Sequence, residues 1–346
     1  MLRAKITGIA SYVPDYVLTN EELSHMVDTN DEWITTRVGI KERRILKGEG
    51  LGSSYMGAIA VERLLANTGT AKDEVELVIC ATSNPDYRFP STASIISHKA
   101  GLTNCYAYDI QAACAGFIVA LQAANAYIRG GLYKKVIVVA AEMMSSMTNY
   151  DDRSTCPLFG DAAAAVMVEP TEDQTVGIID GVYHVDGEGL SHLVMKAGGS
   201  AYPASHATVD AHEHFVYQEG RAVYKHAVTD MLTSSLDVMK RNNLTVDQID
   251  WFVPHQANLR IIEAVGILRF AQGCRWSYRR PYRQGACQHP VSRQYERGFN
   301  TFVSRREQGQ VEEGRQNRAY GIRCRIYLGR DVYCLGLLRE KEQDKI

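Results

Sequence analysis

From Met1 to about Val265 the chain alternates two kinds of segment. Leu77 to Ala81 and Lys135 to Ala141 are short, rich in β-branched residues and apolar at nearly every position. A strand with one wet face alternates polar and apolar residues, so these unbroken runs predict strands covered on both faces. Cys105 to Ile110 and Ile249 to Val253 read as further strands. Helical stretches lie between and after them, at Ser53 to Thr68, Ala93 to Ala100, Ala115 to Arg129 and Gly220 to Lys240. Such alternation predicts a layered α/β fold. After Gly266 the pattern fades.

Composition narrows the reading only a little. A chain of 346 residues can form one large or two medium domains with a sizeable core. The net charge of −2 implies no polyanion partner, so no nucleic acid is expected. The opening residues have no signal-peptide pattern, and no apolar run is long enough to span a bilayer, so no membrane association is expected. Eight cysteines are scattered without metal-like pairing, and Cys80, Cys105, Cys114 and Cys156 lie in apolar or small-residue surroundings. Free thiols suit a reducing compartment, which predicts a cytoplasmic protein. No metal or nucleotide-redox cofactor is expected: His/Cys ligands do not cluster, and no Gly-x-Gly-x-x-Gly follows a strand.

Two residues carry candidate chemistry. Cys114, in Asp109-Ile110-Gln111-Ala112-Ala113-Cys114-Ala115-Gly116-Phe117, falls where a strand gives way to an alanine-rich helix. A thiol there feels the positive end of the helix dipole, which favours the thiolate. Taken alone, a small buried core residue is the plainer reading. His255, in Val253-Pro254-His255-Gln256-Ala257-Asn258, again sits where a strand meets a helix. A satisfied core histidine is its plain alternative, but two reactive side chains at the ends of strands suit nucleophilic catalysis. One lies in each part of the chain, which suggests two similar halves meeting at one site.

These residues also carry a resemblance. Gln-Ala-Ala-Cys-Ala-Gly-Phe around Cys114 and Pro-His-Gln-Ala-Asn-Leu-Arg around His255 resemble β-ketoacyl-acyl-carrier-protein synthase III of the thiolase superfamily. So do Trp33 to Ile40, Phe89-Pro90-Ser91 and Leu158-Phe159-Gly160-Asp161, in order through the first three-quarters of the chain. The resemblance implies a homodimer with a five-layered αβαβα thiolase fold built from two similar halves. It divides the chain into residues 1–170, carrying the nucleophile, residues 171–266, carrying the histidine, and a tail at 267–346. It implies the condensation that starts fatty-acid synthesis, in which acyl-CoA and malonyl-acyl carrier protein give 3-oxoacyl-acyl carrier protein, CO2 and CoA. Cys114 would take the acyl group as a thioester, and His255 would stabilise the negative charge on the malonyl thioester oxygen. Acyl-CoA is then a substrate, and no separate cofactor is implied.

Further roles follow from the same resemblance. Trp33 and Arg153 resemble the pair that sandwiches the CoA adenine, and Arg37 a phosphate contact. Asn258 resembles a pocket asparagine. Gln256 and Arg260 would belong to the surface that receives the acidic carrier protein. Phe89 resembles the residue that caps the partner subunit's acyl pocket. Core packing for Trp33 and solvated surface charge for the arginines are the plain alternatives.

The resemblance stops after Gly266. The family's catalytic asparagine, in a Gly-Asn-Thr-Ser-Ala motif, and its glycine-rich closing strand are both missing. The last eighty residues hold more arginines than all the preceding ones, and half the cysteines. An arginine-rich, tyrosine-bearing tail can suggest nucleic-acid binding, but the genetic code offers a sharper reading. Arg293 to Phe299 can be encoded CGG-CAA-TAC-GAG-CGC-GGC-TTC-A, which read one nucleotide later spells Gly-Asn-Thr-Ser-Ala-Ala-Ser. The same shift lets Val311 to Arg330 spell Leu-Lys-Lys-Gly-Asp-Lys-Ile-Val-Leu-Thr-Ala-Phe-Gly-Ala-Gly-Phe-Thr-Trp-Gly-Ala, like the family's closing strands. Two long matches in order under one shift mark the tail as an out-of-frame translation. The second half is therefore expected to be incomplete or non-native after about residue 266, and Asn300, too far beyond His255, takes no role.

Other functions stay open at this level. A related 3-hydroxy-3-methylglutaryl-CoA or polyketide-type synthase would use the same cysteine. A Cys-His hydrolase would release free acid. With the asparagine motif lost, an inactive homologue that only binds CoA or the carrier protein is a further reading. The acyl primer is not specified.

Overall fold

The computed structural model describes residues 2–249 and 251–269, and the backbone of short strands at 275–276, 324–326 and 336–338. In order come β1 (Arg3–Tyr12), β2 (Tyr16–Thr19), α1 (Asn20–Ser24), α2 (Asp31–Val38), β3 (Glu42–Ile45), α3 (Ser53–Thr68), β4 (Leu77–Ala81) and α4 (Thr92–Ala100). Then follow β5 (Tyr106–Ile110), α5 (Gly116–Arg129), β6 (Val136–Met143) and β7 (Asp161–Thr171). The later part contributes β8 (Leu193–Met195), α6 (His206–Asp210), β9 (Val216–Gln218), α7 (Gly220–Arg241), β10 (Trp251–Phe252), α8 (Leu259–Arg269), β11 (Arg275–Trp276), β12 (Cys324–Ile326) and β13 (Gly336–Leu338).

Five strands form one mixed sheet in the order β1-β7-β6-β4-β5. β4 runs parallel to both β5 and β6, whereas β7 is antiparallel to β6 and to β1. The carboxyl ends of β4, β5 and β6 therefore share one edge of the sheet. Side chains alternate faces along each strand. Leu77, Ile79 and Ala81 of β4 join Val136, Val138 and Ala140 of β6 in the core beneath α5, with Phe117, Leu121 and Ala124. Val78 and Cys80 join Ile137, Val139 and Ala141 in the opposite core, with Met56, Val61 and Leu64 of α3 and Ile96 of α4. Two buried faces explain why β4 and β6 read as unbroken apolar runs.

The sequence-based boundaries hold for β4 and α3, while β6 extends two residues beyond Ala141 to take in Glu142 and Met143. The strand expected over Ile249 to Val253 shortens to Trp251–Phe252, because Val246–Gln248 form a 3-10 turn just before it. α7 packs a separate core with α8 through Ala227, Met231, Val238, Ile261 and Val265, joined by Phe252 of β10. β10 pairs in parallel with β11, and β12 pairs antiparallel with β13. Asn300 and the shifted asparagine motif over Arg293 to Phe299 lie outside the described residues.

Candidate active site

Cys114 occupies a 3-10 turn, Ala113–Ala115, between β5 and α5. Ala113 before it takes a left-handed backbone with φ of 44°, an unusual conformation for a residue with a Cβ. This sharp turn sets the thiol at the carboxyl edge of the parallel strands. Gly116 then lets α5 start close against β4, since an added Cβ would stand 3.0 Å from the Ala81 Cβ. Cys114 itself is half-buried.

The expected thiolate is not what the folded chain favours. Protein packed around the sulfur pushes the Cys114 thiol up to about 12, the Glu142 charge pushes the same way, and a backbone hydrogen bond only partly offsets them. Desolvation penalises the charged form more than one short turn of unpaired N–H groups can stabilise it. A thiol in this state needs a proton acceptor or a bound substrate before it can attack.

Glu142 is a site-edge residue that the apolar pattern did not single out. It ends the buried run of β6 and is only 5% exposed. Its carboxylate accepts from the Ser83 N–H at 2.6 Å and from the Asn84 N–H at 3.1 Å, with the Thr82 hydroxyl at 3.4 Å. Burial nevertheless raises its pKa to about 7. The signal lay in a lone acid closing an otherwise apolar strand.

Other carboxylates fix the loops around this edge. Asp109, on β5, accepts from the Thr92 and Ala93 N–H groups, each at 2.7 Å, and so caps α4 together with Ser91. Asp86 accepts from the Ser54 N–H and hydroxyl at the start of α3. The 82–91 segment is thus held at both ends, while its tip projects outward. Phe89 is 85% exposed and Tyr87 65%. Asp161, in the Leu-Phe-Gly-Asp motif, is fully buried and accepts from the Leu46 N–H at 2.8 Å and from the Ser145 N–H and hydroxyl at 2.8 and 2.7 Å.

The residues expected to bind CoA come together. Trp33 lies on α2, with the Arg37 guanidinium 5.0 Å from its ring centre and that of Arg153 at 4.7 Å. Arg153 is also paired with the exposed Asp28 at 3.1 Å. With Arg153 resting on the indole, a planar base enters between them only when the arginine swings out.

His255 is buried at 7% exposure on the stretch between β10 and α8. Asn258 caps α8, its Oδ1 accepting from the Arg260 N–H at 2.8 Å, a local use that sequence alone did not suggest. The Gln256 amide lies 3.5 Å from the Pro254 carbonyl oxygen, and Arg260 is exposed. A separate cavity of about 690 Å³ opens between Thr148 to Asp151 and the stretch holding His212, His214 and Phe215. Neither Cys114 nor His255 lines it.

The mixed sheet and the thiol at its parallel carboxyl edge define a thiolase-like α/β protein. The family description 3-oxoacyl-(acyl-carrier-protein) synthase III matches residues 108–187, and its C-terminal counterpart matches residues 239–268. A beta-ketoacyl-(acyl-carrier-protein) synthase III of Bacteroides thetaiotaomicron is 57% identical over 264 residues, 76% of this chain and 78% of that protein. A Porphyromonas gingivalis synthase III is 53% identical over the same share of this chain and 78% of its own length. The 3-oxoacyl-(acyl-carrier-protein) synthase III structure from Aquifex aeolicus aligns with a TM-score of 0.75 at 32% identity, covering 97% of this chain and 100% of that one. The Thermus thermophilus synthase III structure gives a TM-score of 0.77 at 31% identity, over 96% and 98%. The chain belongs to the 3-oxoacyl-(acyl-carrier-protein) synthase III family.

Proposed function

We propose that this protein is the condensing acyltransferase that initiates fatty-acid synthesis, joining an acyl group from acyl-CoA to malonyl-acyl carrier protein through an acyl thioester on Cys114. Family membership, with Cys114 held in a strained turn at the carboxyl edge of β4, β5 and β6, carries this reading. In the first step the Cys114 sulfur attacks the acyl-CoA carbonyl, the C–S bond to CoA breaks, and CoA leaves with the thiol proton. Malonyl-acyl carrier protein then loses CO2, its enolate carbon attacks the acyl-Cys114 carbonyl, the C–S bond to Cys114 breaks, and the released thiolate takes up a proton from solvent. His255 donates a hydrogen bond to the enolate oxygen, a type of stabilisation that typically supplies roughly 3 to 4 kcal/mol.

Trp33, Arg37 and Arg153 serve as the CoA surface, with Asn258 at the pocket and Gln256 and Arg260 facing the carrier protein. The clustering of the two arginines on the indole supports the first group. A homodimer is the assembly proposed, with Phe89 capping the partner's acyl pocket; the edge position of β5, with Tyr106 61% exposed, and the exposed Phe89 support it. Thiols that stay free at Cys80, Cys105, Cys114 and Cys156 support a cytoplasmic setting. No helix among the described residues is long and apolar enough to cross a membrane.

The chain is read as two thiolase-like parts, 1–170 and 171–266, followed by an out-of-frame tail at 267–346. Relatives match over 264 residues and the C-terminal family description ends at residue 268, which supports that boundary. The printed tail lacks the Gly-Asn-Thr-Ser-Ala motif, and this favours a second reading for the literal chain: acylation at Cys114 with little or no condensation. The test is intact mass after incubation with a short acyl-CoA. An acyl adduct on Cys114, absent from Cys114→Ala, supports the transferase. Free acid without an adduct favours a hydrolase, and neither product favours a homologue that only binds.

A further inference from the structure

Parallel β4 lies between β6 and β5, and all three end at the same edge of the sheet. Ala81, at the end of β4, pairs with Ala140 of β6 on one side and with Ile110 of β5 on the other, about one strand spacing of 4.8 Å away in each direction. Glu142 lies two residues beyond Ala140 on β6, and Cys114 lies four residues beyond Ile110, in the turn that follows β5. Residues 82–84, the continuation of β4, run between them and give their two N–H groups to the Glu142 carboxylate. The acid thus does two things from one position: it fixes the backbone beside the nucleophile, and it sets a buried negative charge facing it.

Resting on the reading of Cys114 as the acyl acceptor, we propose that Glu142 is a positioning residue whose proton controls how readily Cys114 reacts. Ionised, it binds the Ser83 and Asn84 N–H groups and opposes a second negative charge on the sulfur. Protonated, it relieves that opposition. Its charge acts on Cys114 after β5 and, through the sheet, on Cys80 of β4. Asp86 and Asp109 bear on the same Cys80 and keep this edge acidic. Asp86 is engaged at the start of α3 and Asp109 at the start of α4, which leaves Glu142 as the acid acting on Cys114. Burial of Glu142 places its ionisation near neutral pH, where cellular changes can move it.

The experiment follows alkylation of Cys114 in the full chain by iodoacetamide between pH 6 and 9, read by mass on the Cys114 peptide. Thiolate formation alone raises the rate about tenfold per pH unit below the thiol pKa. In the wild-type chain the rise between pH 6 and 8 is expected to be less steep, because Glu142 ionises over that range and holds the thiolate back. Glu142→Gln should restore the full slope and react severalfold faster at pH 8. A full slope in the wild type, or an unchanged rate in a folded Glu142→Gln chain, would overturn the proposal. If that variant fails to fold by circular dichroism, the wild-type slope decides alone. A shallow slope in a chain that takes no acyl group from acyl-CoA would sink the transferase reading while leaving the Glu142–Cys114 coupling intact.

Discussion

Arg153 lies over the indole of Trp33, its guanidinium 4.7 Å from the ring centre, although the two residues are far apart in sequence. Arg153 also faces Asp28, whose side chain is 97% exposed, and an ion pair that open contributes little. The arginine is therefore held mainly by the ring and can be exchanged for another planar partner. Arg37 sits at 5.0 Å from the same ring and completes a cationic, aromatic patch.

Arg153→Ala should raise KM for acyl-CoA in the acylation of Cys114 with little change in the maximal rate. A stacked, partly desolvated guanidinium contributes about 1 to 2 kcal/mol, which corresponds to roughly a 5- to 30-fold increase. Steady acylation kinetics on the full chain check this. An equal fall in the maximal rate would instead place Arg153 at the reacting centre.

Asp161 joins three donors from two distant parts of the chain, Leu46 and Ser145, which makes it a structural tie beneath the site. Asp161→Ala removes the acceptor and strands the buried Leu46 N–H and the part-buried Ser145 N–H. Each buried donor left unsatisfied costs about 1 to 3 kcal/mol, so a loss of roughly 3 kcal/mol or more is expected. The measurement is the thermal unfolding midpoint. Asp161→Asn, which keeps one acceptor oxygen, should lose less.

The strands were legible because burial on both faces leaves a continuous apolar run, as in Leu77 to Ala81, which the structure reproduces residue for residue. The places of Cys114 after β5 and of His255 after β10 were legible from the apolar runs before them. The state of the thiol was not. Sequence shows the helix that follows Cys114, but the packing around the sulfur and the approach of Glu142 come from segments distant in the chain. The role of Asp109 stayed silent for the same reason, since its partners are backbone N–H groups that carry no residue identity. Asn258 was read as a pocket residue, whereas its cap on α8 depends only on local geometry.

Asp109 accepts from two N–H groups at the start of α4, and that helix anchors the segment carrying Phe89. Asp109→Ala leaves Ser91 as the sole side-chain cap and should destabilise the fold by about 1 to 2 kcal/mol. The freed segment should also be cut faster by protease around Tyr87 and Arg88, both exposed in the wild type. Limited trypsin digestion, with the fragments identified by mass, checks the second effect. Unchanged cleavage would show that Asp86 and Glu142 hold the segment without help.

Glu142 also links stability to pH, and the sign is fixed by its raised ionisation. The folded chain holds this proton up to about pH 7, whereas an unfolded glutamate releases it near its ordinary value of 4.5. Between those limits the folded state binds more protons, so stability falls as pH rises from about 4.5 to 7 and levels off above. A difference of two to three pH units corresponds to about 3 kcal/mol. Glu142→Gln has no such proton, so its thermal midpoint should lose this component of the pH dependence. The gap between wild type and variant should shift in the variant's favour from pH 5 to pH 8. A gap that stays constant over that range would mean that Glu142 is already ionised at pH 5, and that its three donors outweigh the cost of burial.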